Sequence, residues 1–295
     1  MYTQFFGNYL LSNGIVTQEQ LFSAIQKQAK TRMKLGTLAI HAGYMTAQEV
    51  DQVVIEQTHQ DKKFGELAIQ FGYMTSDQVI ELLKEQSPDF LLLGQILVEE
   101  GVLTHAQLEE IMIDYRSKNE MIDLDMTIET QEGLSRLFDN FFIISEAPVS
   151  DYERMYIELL FNNFIRFIGD DFTPLSVEVC NVFPTANCVA QKVNGSRPFT
   201  AYINMDTDTA IEFASRYVGE QFPEFDEYVA ASLDDFLNLH NGLYVVNISN
   251  DFSEEYSVCA PENTSNGILE FTQPAYQFSV MYSFGLIHFI ISVED

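Results

Sequence analysis

LGTLAIHAGYMTAQEVDQVVIEQ (residues 35–57) and FGELAIQFGYMTSDQVIELLKEQ (residues 64–86) are two versions of one pattern, placed 29 residues apart. Each begins with an apolar residue and a glycine, and a second glycine and then a threonine follow at fixed spacing. The same positions recur once before and once after this pair, so the pattern occurs four times. The shared positions are Gly7, Gly36, Gly65 and Gly94, then Gly14, Gly43, Gly72 and Gly101, then Thr17, Thr46, Thr75 and Thr104.

One unit of this pattern predicts two helices joined by a tight turn. A short helix such as 35–42 ends at a glycine, the residue best able to adopt the left-handed conformation after a helix C-terminus. The threonine then caps the next helix, and the Gln or Glu three positions later completes a capping box. Because one unit is too small to bury its own apolar face, neighbouring units must pack together. The sequence therefore predicts an all-α domain of four 29-residue helix-turn-helix units over residues 1–118.

The four units resemble the N-terminal domain of type II secretion and pilus ATPases, including the MshEN module that binds cyclic di-GMP. The resemblance lies in the form LGxxLxxxGxxTxxxLxxxxxxQ, and it implies a dinucleotide held by the second and third units. The positions carried over are Lys34, Leu35, Gly36, Gln57, Lys63, Phe64, Gly65 and Gln86. The arginine that begins the family motif is absent from all four units, and lysine cannot give its planar, bidentate contact to phosphate or guanine. A repeat used only for protein contact is the alternative.

Net charge is spread unevenly along the 295 residues, which carry −29 in total. Residues 1–120 have 9 basic and 16 acidic side chains, whereas residues 121–295 have 6 and 28. The strongly acidic C-terminal half repels nucleic acid and anionic lipid, so no nucleic-acid partner is expected.

The chain has no long apolar run and no basic N-terminal segment, which argues against membrane insertion and secretion. Three cysteines without CxxC spacing fit a reducing compartment, so we expect a cytoplasmic protein without a zinc site.

The repeat pattern stops at Arg116, and residues 119–147 are expected to form a polar, acidic linker. Helical and strand-like segments alternate from residue 148 to residue 295, which indicates an α/β or α+β sheet domain. Helices are predicted over 150–169, over a segment capped by Asp206 or Thr207 and stopped by Gly219, and over 223–242. Strands are predicted over 176–183, 187–193, 199–205, 275–284 and 286–295.

The third of these helices carries the most informative pattern. An acid and an amide three residues apart, Asp235 and Asn238, project together on one side of it. Ala231 and Gly242 flank them and leave access open. The opposite stripe is apolar and is expected to face the core. Its residues are Val229, Leu233, Phe236, Leu237 and His240.

The order of elements beyond residue 150 resembles the CheX/CheC/FliY family of response-regulator phosphatases. In that family a helix carries Glu-x-x-Asn-x-x-x-Gly, and this chain has Asp235, Asn238 and Gly242 at those positions. The segments AIEFASRYVGE (210–220) and APENTSNG (260–267) also resemble segments of the family. The resemblance implies a CheX/CheC-like α/β domain with one copy of the motif, over residues 148–295.

The same resemblance implies hydrolysis of the aspartyl phosphate of a CheY-like receiver domain. Asn238 would orient the attacking water, and Asp235 would pair with a lysine of the receiver. No cofactor of its own is expected, because Mg²⁺ arrives with the receiver, and the repeats would act as a sensor or adaptor. A homodimer through the C-terminal domain is expected by analogy with that family. Because Asp235 is one methylene shorter than the family's glutamate, a non-catalytic binding descendant is an alternative. The protein is then a signalling adaptor that binds cyclic di-GMP or a protein partner. A component of a flagellar or pilus assembly is the third alternative.

Overall fold

The computed structural model of the chain describes residues 2–28, 30–84, 89–119, 141–142 and 149–294. The predicted linker and Gln86 therefore lie outside the described residues, apart from the linker positions Asn119, Phe141 and Phe142. Two compact units are present. The described residues from 9 to 119 form most of the N-terminal unit, and residues 3–8 belong with those from 141 onwards in the C-terminal unit.

Residues 3–8 were predicted to be part of the repeat domain, and aromatic contacts explain why they group with the C-terminal unit instead. The ring of Phe5 packs edge-on against Phe161 at 6.4 Å and against Phe141 at 6.1 Å. Phe141 in turn packs against Phe161 at 5.5 Å and is buried. Residues near the N-terminus and residues around 141–161 thus pack in one core.

Helices follow one another in pairs from residue 2 to residue 119. They are α1 Tyr2–Ser12, α2 Gln18–Gln28, α3 Leu35–His41, α4 Ala47–Gln57, α5 Phe64–Gln70, α6 Ser76–Leu82, α7 Asp89–Glu99 and α8 His105–Asn119. Packing in this unit also joins helices that are distant in sequence, since α2 lies against α7 and α4 lies against α8. Buried apolar residues from α3 to α8 pack into one core cluster, and Leu38, Val50, Leu67 and Leu108 are among them.

Each turn inside a helix pair has the predicted construction. The four glycines of these turns, Gly14, Gly43, Gly72 and Gly101, have φ values between 65° and 76°. A threonine precedes the second helix of each pair, and its side-chain oxygen accepts from the backbone N–H of the residue three positions later. The side-chain oxygen of that later residue in turn accepts from the backbone N–H of the threonine. The pairs are Thr17–Gln20, Thr46–Glu49, Thr75–Gln78 and Thr104–Gln107. The predictions of left-handed glycines and capping boxes are confirmed at all four places.

Over the described residues 149–294, the C-terminal unit combines three helices with one antiparallel sheet. The helices are α9 Asp151–Phe167, α10 Thr207–Val218 and α11 Glu227–Phe252. The strands are β1 Thr173–Pro174, β2 Glu178–Pro184, β3 Asn187–Asn194, β4 Phe199–Met205, β5 Ser257–Val258, β6 Glu262–Ser265, β7 Ile268–Tyr282 and β8 Gly285–Val293. The order is β1-β7-β8-β4-β3-β5, with β2 paired to β7 and β6 paired to β3. None of the helices in the described ranges is long and apolar enough to cross a membrane.

Adjacent residues of β8 show how the sheet is covered. Phe289 packs against Phe164 of α9 at 5.4 Å, so its face of the sheet carries the helices. Successive strand residues point to opposite faces. The preceding residue, His288, accordingly contacts Phe183 of β2 at 5.3 Å on the other face. The ribbon of β2 and the first half of β7 therefore covers the face that the helices leave free.

Helix α11 departs from its predicted bounds at both ends. It begins after Asp226 rather than at Pro223, because the Asp226 carboxylate accepts from the N–H groups of Tyr228 and Val229 at 3.0 Å each. It also continues beyond Gly242 to Phe252. The predicted stop is wrong because glycine costs a helix interior only about 1 kcal/mol. Tyr244 and Ile248, both buried, extend the inner stripe past it.

Removing the cap of α11 should destabilise the C-terminal unit. Asp226→Ala deletes the oxygen that accepts from two N–H groups, so we expect the free energy of unfolding to fall by about 1 kcal/mol. Asp226→Asn keeps the accepting oxygen and should retain most of that stability. Urea denaturation followed by circular dichroism measures both variants. Equal losses in the two would show that the negative charge, and not the cap, stabilises the helix.

Candidate functional site

Asp235 and Asn238 lie on the exposed side of α11, as predicted. Both side chains are exposed. They are three residues apart, which corresponds to a rise of about 4.5 Å along the helix and places them on the same side. The predicted inner stripe is confirmed, because each of its members is at most 1% exposed: Val229, Leu233, Phe236, Leu237 and His240. The core stripe thus fixes which way the acid and the amide face.

The carboxylate of Asp235 is held by the neighbouring helix α10. The Tyr217 hydroxyl donates to Asp235 Oδ2 at 2.6 Å. The Tyr217 ring is itself held edge-on against Phe236 at 5.6 Å and Phe167 at 5.9 Å. Burial and then the bond to Asp235 raise the pKa of the Tyr217 hydroxyl, so it stays protonated and keeps donating. Within the described chain no residue bonds the other carboxylate oxygen, which leaves it available to a partner.

The amide of Asn238 is held by hydrogen bonds that begin in the core. The Tyr156 hydroxyl donates to Asn241 Oδ1 at 2.7 Å. Asn241 Nδ2 donates to Gln191 Oε1 at 2.8 Å. Gln191 Nε2 donates both to Asn238 Oδ1 and to the backbone carbonyl of Cys259, each at 2.8 Å. Tyr156, Gln191 and Asn241 are at most 1% exposed, so Asn238 is the only exposed side chain of the four.

This chain of bonds determines which atom of Asn238 faces outward. The Cys259 carbonyl can only accept a hydrogen bond, so the amino group of Gln191 must point toward it. The same amino group meets Asn238, and the atom that receives it is therefore Oδ1. Asn238 Nδ2 consequently points away from Gln191. The exposed site offers two N–H donors and one oxygen lone pair beside a carboxylate.

His240 lies on the inner side of α11, two residues from Asn238, and is fully buried. Asn163 Nδ2 donates to His240 Nδ1 at 2.9 Å, and the ring packs edge-on against Tyr156 at 4.3 Å. Its Nε2 has no hydrogen-bond partner. Burial lowers the pKa of His240 to about 3, so the ring is neutral near pH 7. The predicted core position is confirmed, although only one of the two ring nitrogens is satisfied.

Among the described residues, no three His, Cys, Asp or Glu side chains are grouped so that they could hold a metal ion. The site of Asp235 and Asn238 offers one carboxylate and one amide. These groups can hold a cation, a water molecule or an oxyanion that a partner supplies.

In the repeats, the candidate ligand residues that the structure describes make packing and helix-end contacts. Lys34 Nζ pairs with Glu99 at 2.8 Å. A Cβ atom on Gly36 would lie 3.2 Å from the Phe64 ring, and one on Gly65 would lie 3.2 Å from Leu35 Cδ2. The second and third units thus pack reciprocally, each with its apolar residue against the other's glycine. This packing accounts for the apolar-glycine pair in the second and third units.

Two further predicted ligand residues, Gln57 and Lys63, take part in hydrogen bonds with backbone groups between α4 and α5. Gln57 Nε2 donates to the Lys62 carbonyl at 3.2 Å, and the Lys63 N–H donates to Glu66 Oε2 at 3.1 Å. Binding of cyclic di-GMP by these units stays a prediction.

Gln191, Asn241 and Tyr217 were not among the predicted site residues. Gln191 shares one face of β3 with Val189 and Val193, and all three are buried. A polar residue in a buried row of a strand was therefore the available signal. Neither Asn241 nor Tyr217 stands out in the sequence, because their roles depend on how α9, α10 and α11 pack.

No model of a known protein family matches the chain, and no curated protein matches it. Solved structures of chemotaxis proteins resemble about half of it. CheX from Desulfovibrio desulfuricans is 11% identical over 49% of this chain and 100% of its own, with a TM-score of 0.44. A CheC-like superfamily protein from Shewanella sp. PV-4 is 16% identical over 50% and 99%, with a TM-score of 0.44. CheX from Borrelia burgdorferi, solved with CheY, BeF3 and Mg²⁺, is 17% identical over 49% and 99%, with a TM-score of 0.43.

The C-terminal unit should lose stability in mild acid, because the buried His240 ring takes up a proton only when the chain unfolds. Its pKa is about 3 in the folded chain and about 6.5 when unfolded, so below pH 6.5 only the unfolded state takes up the proton. Stability is therefore lost as pH falls, by up to about 1.4 kcal/mol per pH unit. Denaturation at pH 6.5 and 5.5 should show wild type losing about 1 kcal/mol more than His240→Asn, which places an oxygen near the former Nδ1. Equal losses would contradict a neutral buried ring.

Proposed function

We propose that this protein accelerates the dephosphorylation of a receiver domain that carries an aspartyl phosphate, and that Asp235 and Asn238 perform this role. The observation that carries the proposal is the fixed outward amide of Asn238 beside an exposed carboxylate. The motif resemblance to the CheX/CheC/FliY family gives the substrate class. Phosphoryl transfer depends mainly on how the attacking water is positioned, and an amide held rigidly on a helix can position it.

Asn238 orients the attacking water in the proposed reaction. Its remaining Oδ1 lone pair accepts a hydrogen bond from that water, and Nδ2 donates to an oxygen of the phosphoryl group. The water oxygen forms a bond to phosphorus while the bond from phosphorus to the aspartyl oxygen breaks. The products are inorganic phosphate and the free carboxylate of the receiver. Mg²⁺ is part of the receiver and not of this chain.

Asp235 pairs with a lysine of the receiver. Tyr217 holds one of its oxygens at 2.6 Å, which leaves the other for the partner. A carboxylate that is already ordered loses less conformational entropy on binding. Tyr217 holds the shorter side chain of Asp235 in place before the partner arrives. The lower entropic cost of binding then compensates for the methylene that aspartate lacks relative to glutamate.

Removal of the Asn238 amide should abolish activity without unfolding the protein. We expect Asn238→Ala to lose at least about 100-fold of the acceleration, because the water is no longer placed in line. The matched control is Asn247→Ala, an exposed asparagine on α11 beyond the site. Phosphate release is measured from phosphorylated receivers of the same organism, with circular dichroism to check folding. Failure of wild type to accelerate any of these receivers would contradict the proposal.

Gln191 should act on turnover rather than on binding, because it touches only the inward atom of Asn238. Gln191→Met has a similar volume but cannot donate, so the Asn238 amide can rotate. We expect kcat to fall about tenfold while KM changes by less than about twofold. Gln277→Met, on β7, serves as control. A rise in KM with unchanged kcat would show that Gln191 supports the docking surface instead of the Asn238 amide.

A further inference from the structure

A groove of about 470 Å³ lies beside Asp235, between the end of α10 and the first turns of α11. Its lining is largely apolar and includes Tyr217, Val218, Phe222, Tyr228, Ala231 and Asp235. Asp235 belongs both to this groove and to the site described above, so the two surfaces are continuous.

Two side chains that line the groove are largely exposed to solvent. Val218 is 48% exposed and Tyr228 is 64% exposed. Isolated exposed apolar residues are common on protein surfaces, but these two border one concave surface. An apolar side chain placed between them would remove both from water, which is favourable for association. The groove thus fits one apolar side chain of a partner.

Charge around the groove restricts what that partner can be. Residues 220–235 contain six acidic and no basic side chains. A partner segment with basic residues beside its apolar residue would be complementary, whereas a second copy of this acidic surface would be repelled. Receiver docking already requires a lysine at Asp235, so the same partner satisfies both conditions.

We propose that this groove is the docking surface for the phosphorylated receiver, and that it takes an apolar side chain flanked by a basic residue. The inference rests on the proposed function and adds the feature by which the partner is recognised. Along α11, Ala231 and Tyr228 are about 10 and 15 Å from Asn238. The apolar residue of the receiver should therefore lie about 10–15 Å from its phosphorylated aspartate, on the same face.

Two exposed valines provide a matched test. Val218→Lys places a cation and a long side chain in the groove, whereas Val246→Lys makes the same change at a 54% exposed site on α11 outside it. Dephosphorylation of a receiver that wild type acts on is measured over a range of receiver concentrations. We expect Val218→Lys to raise KM at least about tenfold with kcat kept, and Val246→Lys to change KM by less than about twofold. Tyr228→Ala should raise KM in the same direction, and it removes surface without adding charge.

The outcomes separate the groove from the catalytic proposal. If wild type is active and neither Val218→Lys nor Tyr228→Ala raises KM, the groove is not a docking surface, although the proposed function stands. If both substitutions lower kcat at unchanged KM, the groove supports the site and does not bind the receiver. If wild type accelerates no receiver, the proposed function fails and the inference fails with it. If wild type is a dimer that Val218→Lys dissociates, the occupant is a second copy and the inference is wrong.

Discussion

The hydrogen bond from Gln191 to Asn238 joins the core of the C-terminal unit to its surface. A buried glutamine must satisfy its donors and acceptors, and here it does so with Asn241, Cys259 and Asn238. If Asn238 rotated its amide, two amino groups would face each other and the buried donor of Gln191 would lose a partner. Leaving a buried polar group unsatisfied costs about 1–3 kcal/mol. The outward direction of the Asn238 amide is thus set by the requirements of the interior.

The features that the sequence predicts well are local ones. Each capping box joins residues three apart, and each left-handed glycine follows its own helix, so residue type and spacing contain the whole signal. The stripe of α11 is similar, because a helical period places Leu233 and Phe236 inward and Asp235 outward. The end of α11 was predicted wrongly because a glycine inside a helix looks the same as one that terminates it. Only the burial of Tyr244 and Ile248 against the rest of the unit distinguishes the two cases.

The features that the sequence does not show join residues far apart in the chain. Gln191 and Asn238 are 47 residues apart, and Tyr156 and Asn241 are 85 apart. No periodicity brings β3, α9 and α11 together, so the orientation of the Asn238 amide could not be predicted. The ribbon of β2 and β7 is a similar case, because helices α10 and α11 both lie between these strands in sequence. Acidic composition, by contrast, is visible in the sequence, and it favours partners that carry basic groups.

The most direct test is a crystal structure of the full chain with a receiver that it dephosphorylates, in which beryllofluoride and Mg²⁺ mimic the phosphorylated state. We expect the Asn238 amide to lie within about 4 Å of the beryllofluoride, with Gln191 still bonded to Asn238 Oδ1. We also expect Asp235 to pair with a lysine of the receiver. A receiver bound on another surface, with Asn238 exposed to solvent, would contradict the central claim.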